Sequence, residues 1–120
     1  MDQIAKGENI TIDPNGQPLA IQIAIGGSTP ASYSSYLIRG GGHTLICQGR
    51  SDQPVKKCPI DTSPSTLSGQ MVSWQVGAAP ESNTFTIVVT LFQGQNELKS
   101  YTYTGQKPDF LADYVSLVSA

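Results

Sequence analysis

His43 is the one histidine in this chain of 120 residues, and acid–base chemistry near neutral pH would centre on it. A serine or cysteine hydrolase needs a general base beside its nucleophile and a third group that orients the base. The sequence holds no G-x-S-x-G nucleophile elbow, and it gives no means of placing a partner for His43. We therefore predict that the protein is not an enzyme.

The carboxylates follow neither the pattern of a glycosidase nor that of a metal site. Asp52 and Asp61 lie around the second cysteine, and Glu81 and Glu97 lie in turn-rich segments. A glycosidase needs two carboxylates that face each other across a cleft, and nothing in the sequence sets such a distance. The Asp13-Pro14-Asn15-Gly16 segment lacks the later acidic ligands of a calcium loop and is predicted to be a turn. We expect no metal and no cofactor.

Cys47 and Cys58 are separated by ten residues that are rich in turn formers. Structural zinc takes four ligands; His43 could be a third, and a fourth is not apparent. In an oxidising compartment the two cysteines would form a disulfide that closes a short loop, and in a reducing one they would remain thiols. We predict the disulfide.

Two tyrosines are the best candidates for exposed aromatic side chains that could stack on a sugar ring. Tyr33 and Tyr36 lie in a Ser-rich segment close to Arg39 and therefore stand beside hydrogen-bonding groups. Trp74 lies in the middle of an apolar alternation, which predicts that it belongs to the core.

The longest irregular segment runs from Gly49 to Gly69, and its three prolines disfavour both helix and central strand. It either contains one short edge strand near Val55 or forms a binding loop. Together with neighbours from the preceding segment, it gives a candidate ligand-binding surface whose charged and polar members are Arg39, His43, Arg50, Asp52 and Lys57.

The charge of the chain excludes several kinds of partner. Charged residues make up 13% of the chain, and the formal net charge is −2. Nucleic acids and anionic membranes need clustered Lys and Arg, whereas the seven basic residues here are scattered. No apolar run approaches the roughly 18–20 residues of a membrane span, and the N-terminus has no signal-peptide pattern. Because uncharged polar residues supply the solubility, we expect an exported location, extracellular or periplasmic, rather than a cytoplasmic one.

The clearest element is a hairpin within residues 83–105. Phe85, Ile87, Val89 and Leu91 share one parity, which is typical of a strand with one buried face. A three-residue loop, Gly94-Gln95-Asn96 with Asn96 in the left-handed conformation, would pair Val89 with Tyr101 and Ile87 with Tyr103. This register places Ser100, Thr102 and Thr104 on the opposite, polar face, so we predict it in preference to a two-residue loop.

The other elements are also short and β-like. Alternation predicts strands over residues 9–13, 19–25, 32–39, 44–48 and 70–76, with breaks at Gly and Pro clusters. The tail is open to two interpretations: a helix capped by Asp109, or a last strand with Val115 and Leu117 facing inward. We prefer the strand, because a lone helix would need a packing face of its own.

Seven to eight short strands without a linker or repeat predict a single all-β domain over residues 1–120. The predicted architecture is an antiparallel two-sheet β-sandwich, of jelly-roll or immunoglobulin-like type. The immunoglobulin signature itself is missing, because both cysteines precede Trp74.

Three classes of function remain. The first hypothesis is a lectin-like recognition module that binds a carbohydrate or a surface protein through the sandwich loops. The second is a structural subunit of a fibre, coat or secretion machine, which would form homo-oligomers through a sheet edge or face. A small hydrolase ranks last.

Overall fold

Alternating apolar and polar residues form strands along most of the described chain. In the computed structural model, which describes residues 3–26, 30–78, 84–105 and 110–120, they form nine strands and a short 3-10 turn, Pro64–Thr66. The strands are β1 Glu8–Ile12, β2 Leu19–Gly26, β3 Ala31–Arg39, β4 Gly42–Arg50, β5 Lys57–Pro59, β6 Met71–Ala78, β7 Phe85–Gln93, β8 Asn96–Gly105 and β9 Phe110–Ser119.

The strands form two packed sheets, which confirms the predicted β-sandwich. The five-stranded sheet has the order β1-β9-β6-β3-β4, and the four-stranded sheet has the order β5-β2-β7-β8. Neighbouring strands are antiparallel except for β1 and β9, which pair in parallel, so the prediction of a purely antiparallel fold needs this correction. The strand count is nine rather than seven to eight, because β5 forms within the segment that had no clear pattern.

The core lies between the sheets and is made of the inward-facing residues of both. Trp74 is fully buried together with its strand neighbours Val72 and Val76, as its position in the alternation predicts. The tail is a strand, and Val115 and Leu117 are buried in the core, which confirms the predicted parity. The proposed helix cap at residue 109 lies outside the described residues. No helix in the described ranges is long and apolar enough to cross a membrane.

The hairpin has the predicted register but a different turn. Val89 pairs with Tyr101 and Ile87 pairs with Tyr103, as the segregation of polar and apolar faces requires. The loop, however, is the two-residue Gly94-Gln95, and Gly94 takes the positive φ of 61° that was predicted for Asn96. A register shift between Leu91 and Phe92 adds the residue that the shorter turn leaves out, and this β-bulge restores the pairing.

The segment from Gly49 to Gly69 is mostly packed structure rather than an open loop. β4 extends to Arg50, and β5 pairs with β2 two residues beyond the predicted position at Val55. The buried side chains of Ile60 and Leu67 then hold the rest of the segment against the core. Residues 51–56, between β4 and β5, form the longest connection of the segment without a buried side chain, which narrows the predicted binding loop.

Both lateral edges of the sandwich are tied. At one edge a disulfide joins Cys47 of β4 to Cys58 of β5, with the two Cα atoms 5.7 Å apart, as predicted. At the other edge Glu8 of β1 accepts a 2.7 Å hydrogen bond from the Tyr101 hydroxyl of β8 and lies 3.6 Å from Lys99 Nζ. Each tie links one sheet to the other.

Asp113 carries a buried carboxylate on the inner face of β9. It accepts hydrogen bonds from the backbone N–H groups of Ile4, Ala5 and Lys6 at 2.8–2.9 Å. It also accepts one from the Tyr103 hydroxyl at 2.6 Å and one from the N–H of Tyr114 at 2.9 Å. Lys6 adopts a φ of 49°, which bends the N-terminal segment around this carboxylate.

The hydrogen bonds decide the ionisation of Asp113. Burial raises the pKa of its carboxyl group, but the bonds from Tyr103 and from the backbone of Ala5, Lys6 and Tyr114 outweigh burial and hold the pKa below the ordinary value of 3.8. Burial and the bond to Asp113 raise the pKa of Tyr103 far above its ordinary value. The pair therefore consists of an anionic acceptor and a neutral donor across the working pH range.

The Asp113→Asn substitution should lower the unfolding free energy by about 2 kcal/mol or more at pH 7, because the amide places an N–H donor among N–H and O–H donors. A lowered folded pKa stabilises the protein above the ordinary value of 3.8, and that contribution is lost as the pH falls through the folded pKa. Urea unfolding of both proteins from pH 7 to pH 2 should show their difference shrinking below pH 3.8. The exposed control Asp52→Asn should change stability by less than about 0.5 kcal/mol. A pH-independent gap between wild type and Asp113→Asn would contradict this role.

The hairpin register gives a second test of stability. Tyr103→Ala should cost about 3–5 kcal/mol, because it removes a buried ring. Thr102→Ala, one residue away on the exposed face, should cost less than about 1 kcal/mol. Urea unfolding curves measure both values, and equal small effects would show that the parity is wrong.

Candidate functional site

The outer face of the five-stranded sheet presents its side chains in ordered rows. Strand pairing aligns one outward residue from each of β9, β6, β3 and β4 in every row. The rows are Phe110, Gly77, Ser32 and Arg50; Ala112, Gln75, Ser34 and Gln48; Tyr114, Ser73, Tyr36 and Leu45; Ser116, Met71, Ile38 and His43. Four strands at about 4.8 Å spacing make each row roughly 14 Å long.

A groove of about 740 Å³ crosses the first two rows. Its volume falls within the range of roughly 300–1,000 Å³ that is usual for small-ligand sites. Its smallest lining residues are Gly49, Gly77, Ser32 and Ser34, and Tyr36 also lines it. The exposed connection after β4 adds Gln53 and Lys56. The groove therefore combines small and aromatic residues with hydrogen-bonding groups.

Phe110 lies at the β9 end of the groove and is 61% exposed. It is paired with Gly77, and a Cβ atom at residue 77 would stand 3.9 Å from the Phe110 ring. The ring therefore lies close to the bare backbone of β6. A larger residue at position 77 would fill space beside the ring.

Tyr36 provides a second, half-buried aromatic ring in the same groove. The His43 imidazole lies edge-on to it, with ring centroids 5.3 Å apart and planes at 85°. This contact holds the Tyr36 ring from the side of β4. A smaller depression of about 360 Å³, which includes His43 and Gly40, Gly41 and Gly42, continues from the groove past Tyr36.

The polar groups of the groove are open to a ligand. Within the described ranges, the side chains of Ser32, Gln48 and Lys56 make no hydrogen bond or ion pair with the protein. Ser34 Oγ and Gln75 Oε1 are 3.5 Å apart, which is a long and weak contact. Donors and acceptors are thus available along both polar rows.

Arg50 contributes a guanidinium group to the lining of the groove. Its Nε lies 3.3 Å from Asp52 Oδ1, and both side chains are about two-thirds exposed, at 65% and 70%. An ion pair this exposed contributes little to stability. The contact with Asp52 therefore leaves the Arg50 guanidinium largely in solvent.

Tyr33 does not have the predicted exposure. It is 7% exposed and points to the inner face, and burial raises the pKa of its phenol. Its hydroxyl lies against Gly49 of β4, where a Cβ atom would come within 2.6 Å of the phenol oxygen. Tyr33 and Tyr36 are three residues apart and so face opposite sides of β3, which leaves only Tyr36 as a stacking candidate.

Three of the predicted charged residues are separated from one another in space. Lys57 belongs to the four-stranded sheet, where its Nζ lies 4.2 Å from the centre of the Phe92 ring and donates to the Gly94 carbonyl at 2.7 Å. Arg39 donates a hydrogen bond to the Thr62 hydroxyl. Arg50 alone of these basic residues lines the groove. The predicted ligand-binding set is therefore not one cluster.

Gln48, Gln75 and Phe110 are groove residues that the sequence reading did not single out. Gln48 and Gln75 stand at alternate positions of their strands, so parity was the available signal for their outward direction. Their convergence depends on β6 and β4 flanking β3. That order of strands is not visible in the sequence.

The described residues give no support to a metal centre. In ranges 3–26, 30–78, 84–105 and 110–120, no three His, Cys, Asp or Glu side chains gather closely enough to hold an ion. The two cysteines are joined to each other, so they do not act as thiolate ligands beside His43. Comparison with protein-family models, curated proteins and solved structures finds no match.

Reduction of the Cys47–Cys58 disulfide should destabilise the protein by about 2–4 kcal/mol, because the bond closes a short loop and ties the two sheets. Urea unfolding with and without a thiol reductant measures the difference. The double variant Cys47→Ser/Cys58→Ser is the control and should respond to urea identically in both conditions. Coincident curves for oxidised and reduced wild type would contradict a stabilising tie.

Proposed function

We propose that this protein is a non-enzymatic recognition module that binds a carbohydrate in the groove on the outer face of the five-stranded sheet. The observation that carries the proposal is the combination of two aromatic rings, Tyr36 and Phe110, with Ser, Gln and Arg side chains around a small-residue surface. Sugar rings present an apolar face and a rim of hydroxyls, and this lining complements both.

The lining is suited to a saccharide in a further respect. Its amides and hydroxyls, from Ser32, Ser34, Gln48 and Gln75, both donate and accept hydrogen bonds, as sugar hydroxyls do. A typical protein interface has a larger apolar centre around its aromatic anchors. We therefore favour a carbohydrate over a surface protein as the ligand of this groove.

The proposed site lies on a sheet rather than on the loops that the sequence suggested. Residues on paired strands hold their positions more firmly than residues on a loop, so less entropy is lost on binding. The exposed connection at 51–56 contributes at the rim through Gln53 and Lys56. The proposal includes an oxidising, exported location, because the Cys47–Cys58 disulfide persists in such compartments.

Tyr36→Ala should weaken binding about tenfold or more, because it removes one stacking surface; this corresponds to about 1.4 kcal/mol. The measurement is a screen of wild type against defined oligosaccharides, followed by titration calorimetry of the best ligand with both proteins. Phe92→Ala, a half-buried aromatic residue on the outer face of the other sheet, is the matched control and should keep wild-type affinity.

Two outcomes would overturn the proposal. The first is that wild type binds no oligosaccharide of a broad neutral and acidic panel. The second is a ligand whose affinity is the same for wild type and for folded Tyr36→Ala, because the ligand would then lie elsewhere.

A structural subunit is the second candidate, and β8 is the observation that favours it. β8 is ten residues long and forms an edge of the four-stranded sheet. A long edge strand offers backbone groups to a strand from another copy. Glu8 crosses this edge to reach Lys99 and Tyr101, which covers part of it. Sedimentation over a range of protein concentrations discriminates the two candidates, because a subunit should grow into ordered oligomers and a binding module should not.

A further inference from the structure

We infer that the saccharide held in this groove is anionic and that its carboxylate or sulfate lies against Arg50. The inference rests on the proposed carbohydrate function and adds the chemical class of the ligand. It rests on two positive charges at one end of the groove. Arg50 stands at the end of β4, and Lys56 stands in the connection that follows.

Charge is distributed unevenly over the molecule. The chain has nine acidic and seven basic residues and a net charge of −2. The charged residues that line the groove are both basic, Arg50 and Lys56, and no Asp or Glu is among its lining residues in the described ranges. A cationic groove in an acidic protein would attract an anionic sugar and disfavour binding elsewhere on the surface.

The geometry at Arg50 suits a planar anion. A guanidinium has five N–H donors, and the contact with Asp52 is made through Nε. Its side chain is 65% exposed, so the terminal nitrogens can reach a ligand. Carboxylate and sulfate oxygens accept paired bonds from such a fork, and bonds to charged groups are the stronger ones.

The neighbours of Arg50 favour the same end of the groove for the anion. Ser32 is paired with Arg50 across β3 and β4, and its hydroxyl can donate to the same group. Gln53 and Lys56 line the groove from the adjoining connection. The aromatic rings of Tyr36 and Phe110 then remain for neutral parts of the saccharide.

The test compares uronic-acid oligosaccharides of several stereochemistries with their methyl esters, which have the same rings and length but no charge. Wild type should bind the best acidic member at least about tenfold more tightly than its ester, because a charge-assisted bond is lost. Arg50→Gln should abolish that preference, because the acid should then bind no more tightly than its ester. The preference should also fall as salt is raised.

Two further variants separate a local effect from a general one. Lys99→Gln removes the same charge at the opposite edge of the sandwich and should leave the preference unchanged. Asp52→Asn removes the anion beside Arg50 and should strengthen binding of the acidic ligand severalfold without affecting the ester. A sulfated oligosaccharide of equal length shows which anion is preferred.

The outcomes distinguish this inference from the function on which it rests. If the esters bind as tightly as the acids, the anionic class is wrong and the carbohydrate function stands. If Lys99→Gln reduces the preference as much as Arg50→Gln does, net charge rather than the groove is responsible and the inference fails. If no saccharide binds, the proposed function and the inference fail together.

Discussion

The carboxylate of Asp113 is the interaction on which the arrangement of both sheets depends. It gathers three backbone N–H groups from the start of the chain, Ile4 to Lys6, and the hydroxyl of Tyr103 from the opposite sheet. Trp74 Nε1 donates to the same hydroxyl at 3.2 Å, so the network crosses the core. The carboxylate is stable as an anion in this buried position because five hydrogen bonds replace its hydration. The N-terminal strand β1 can then add to β9 in parallel, although the two lie at opposite ends of the sequence.

The lateral edges show two different solutions to one problem. A two-sheet sandwich can slide or open at its sides unless something joins the sheets there. Glu8 joins them by hydrogen bonding and charge, and the Cys47–Cys58 bond joins them covalently. One end of the groove lies at the covalent edge, because Gln48 and Arg50 belong to β4, the strand that carries Cys47. The disulfide therefore anchors the strand that supplies Gln48 and Arg50 to the proposed site.

What the sequence could predict depended on whether the relevant interaction was local. Parity along the Phe85 hairpin predicted both the register and the buried faces of Tyr101 and Tyr103, because hydrophobic segregation constrains pairing. Parity along β3 would likewise have placed Tyr33 and Tyr36 on opposite faces of the sheet. The role of Asp113 could not be read, because the backbone N–H groups of Ile4 to Lys6 that it binds lie 107 to 109 residues away in sequence. The groove was equally hidden, since the order β9-β6-β3-β4 places the β3–β4 hairpin beside two strands that are distant from it in sequence.

Core and groove are alternate residues of the same strands, and this coupling explains how the surface can be ordered with few and weak side-chain hydrogen bonds of its own. Buried Leu111 stands between Phe110 and Ala112, and buried Val76 stands between Gln75 and Gly77. Packing of the inward residue fixes the backbone on both sides of it, so the two outward neighbours are held in place as well. Outward residues can change without disturbing the core, which separates the specificity of the surface from the stability of the fold. A polar, weakly bonded groove on a close-packed sandwich is the expected result, because the core supplies the order that the groove residues do not supply for themselves.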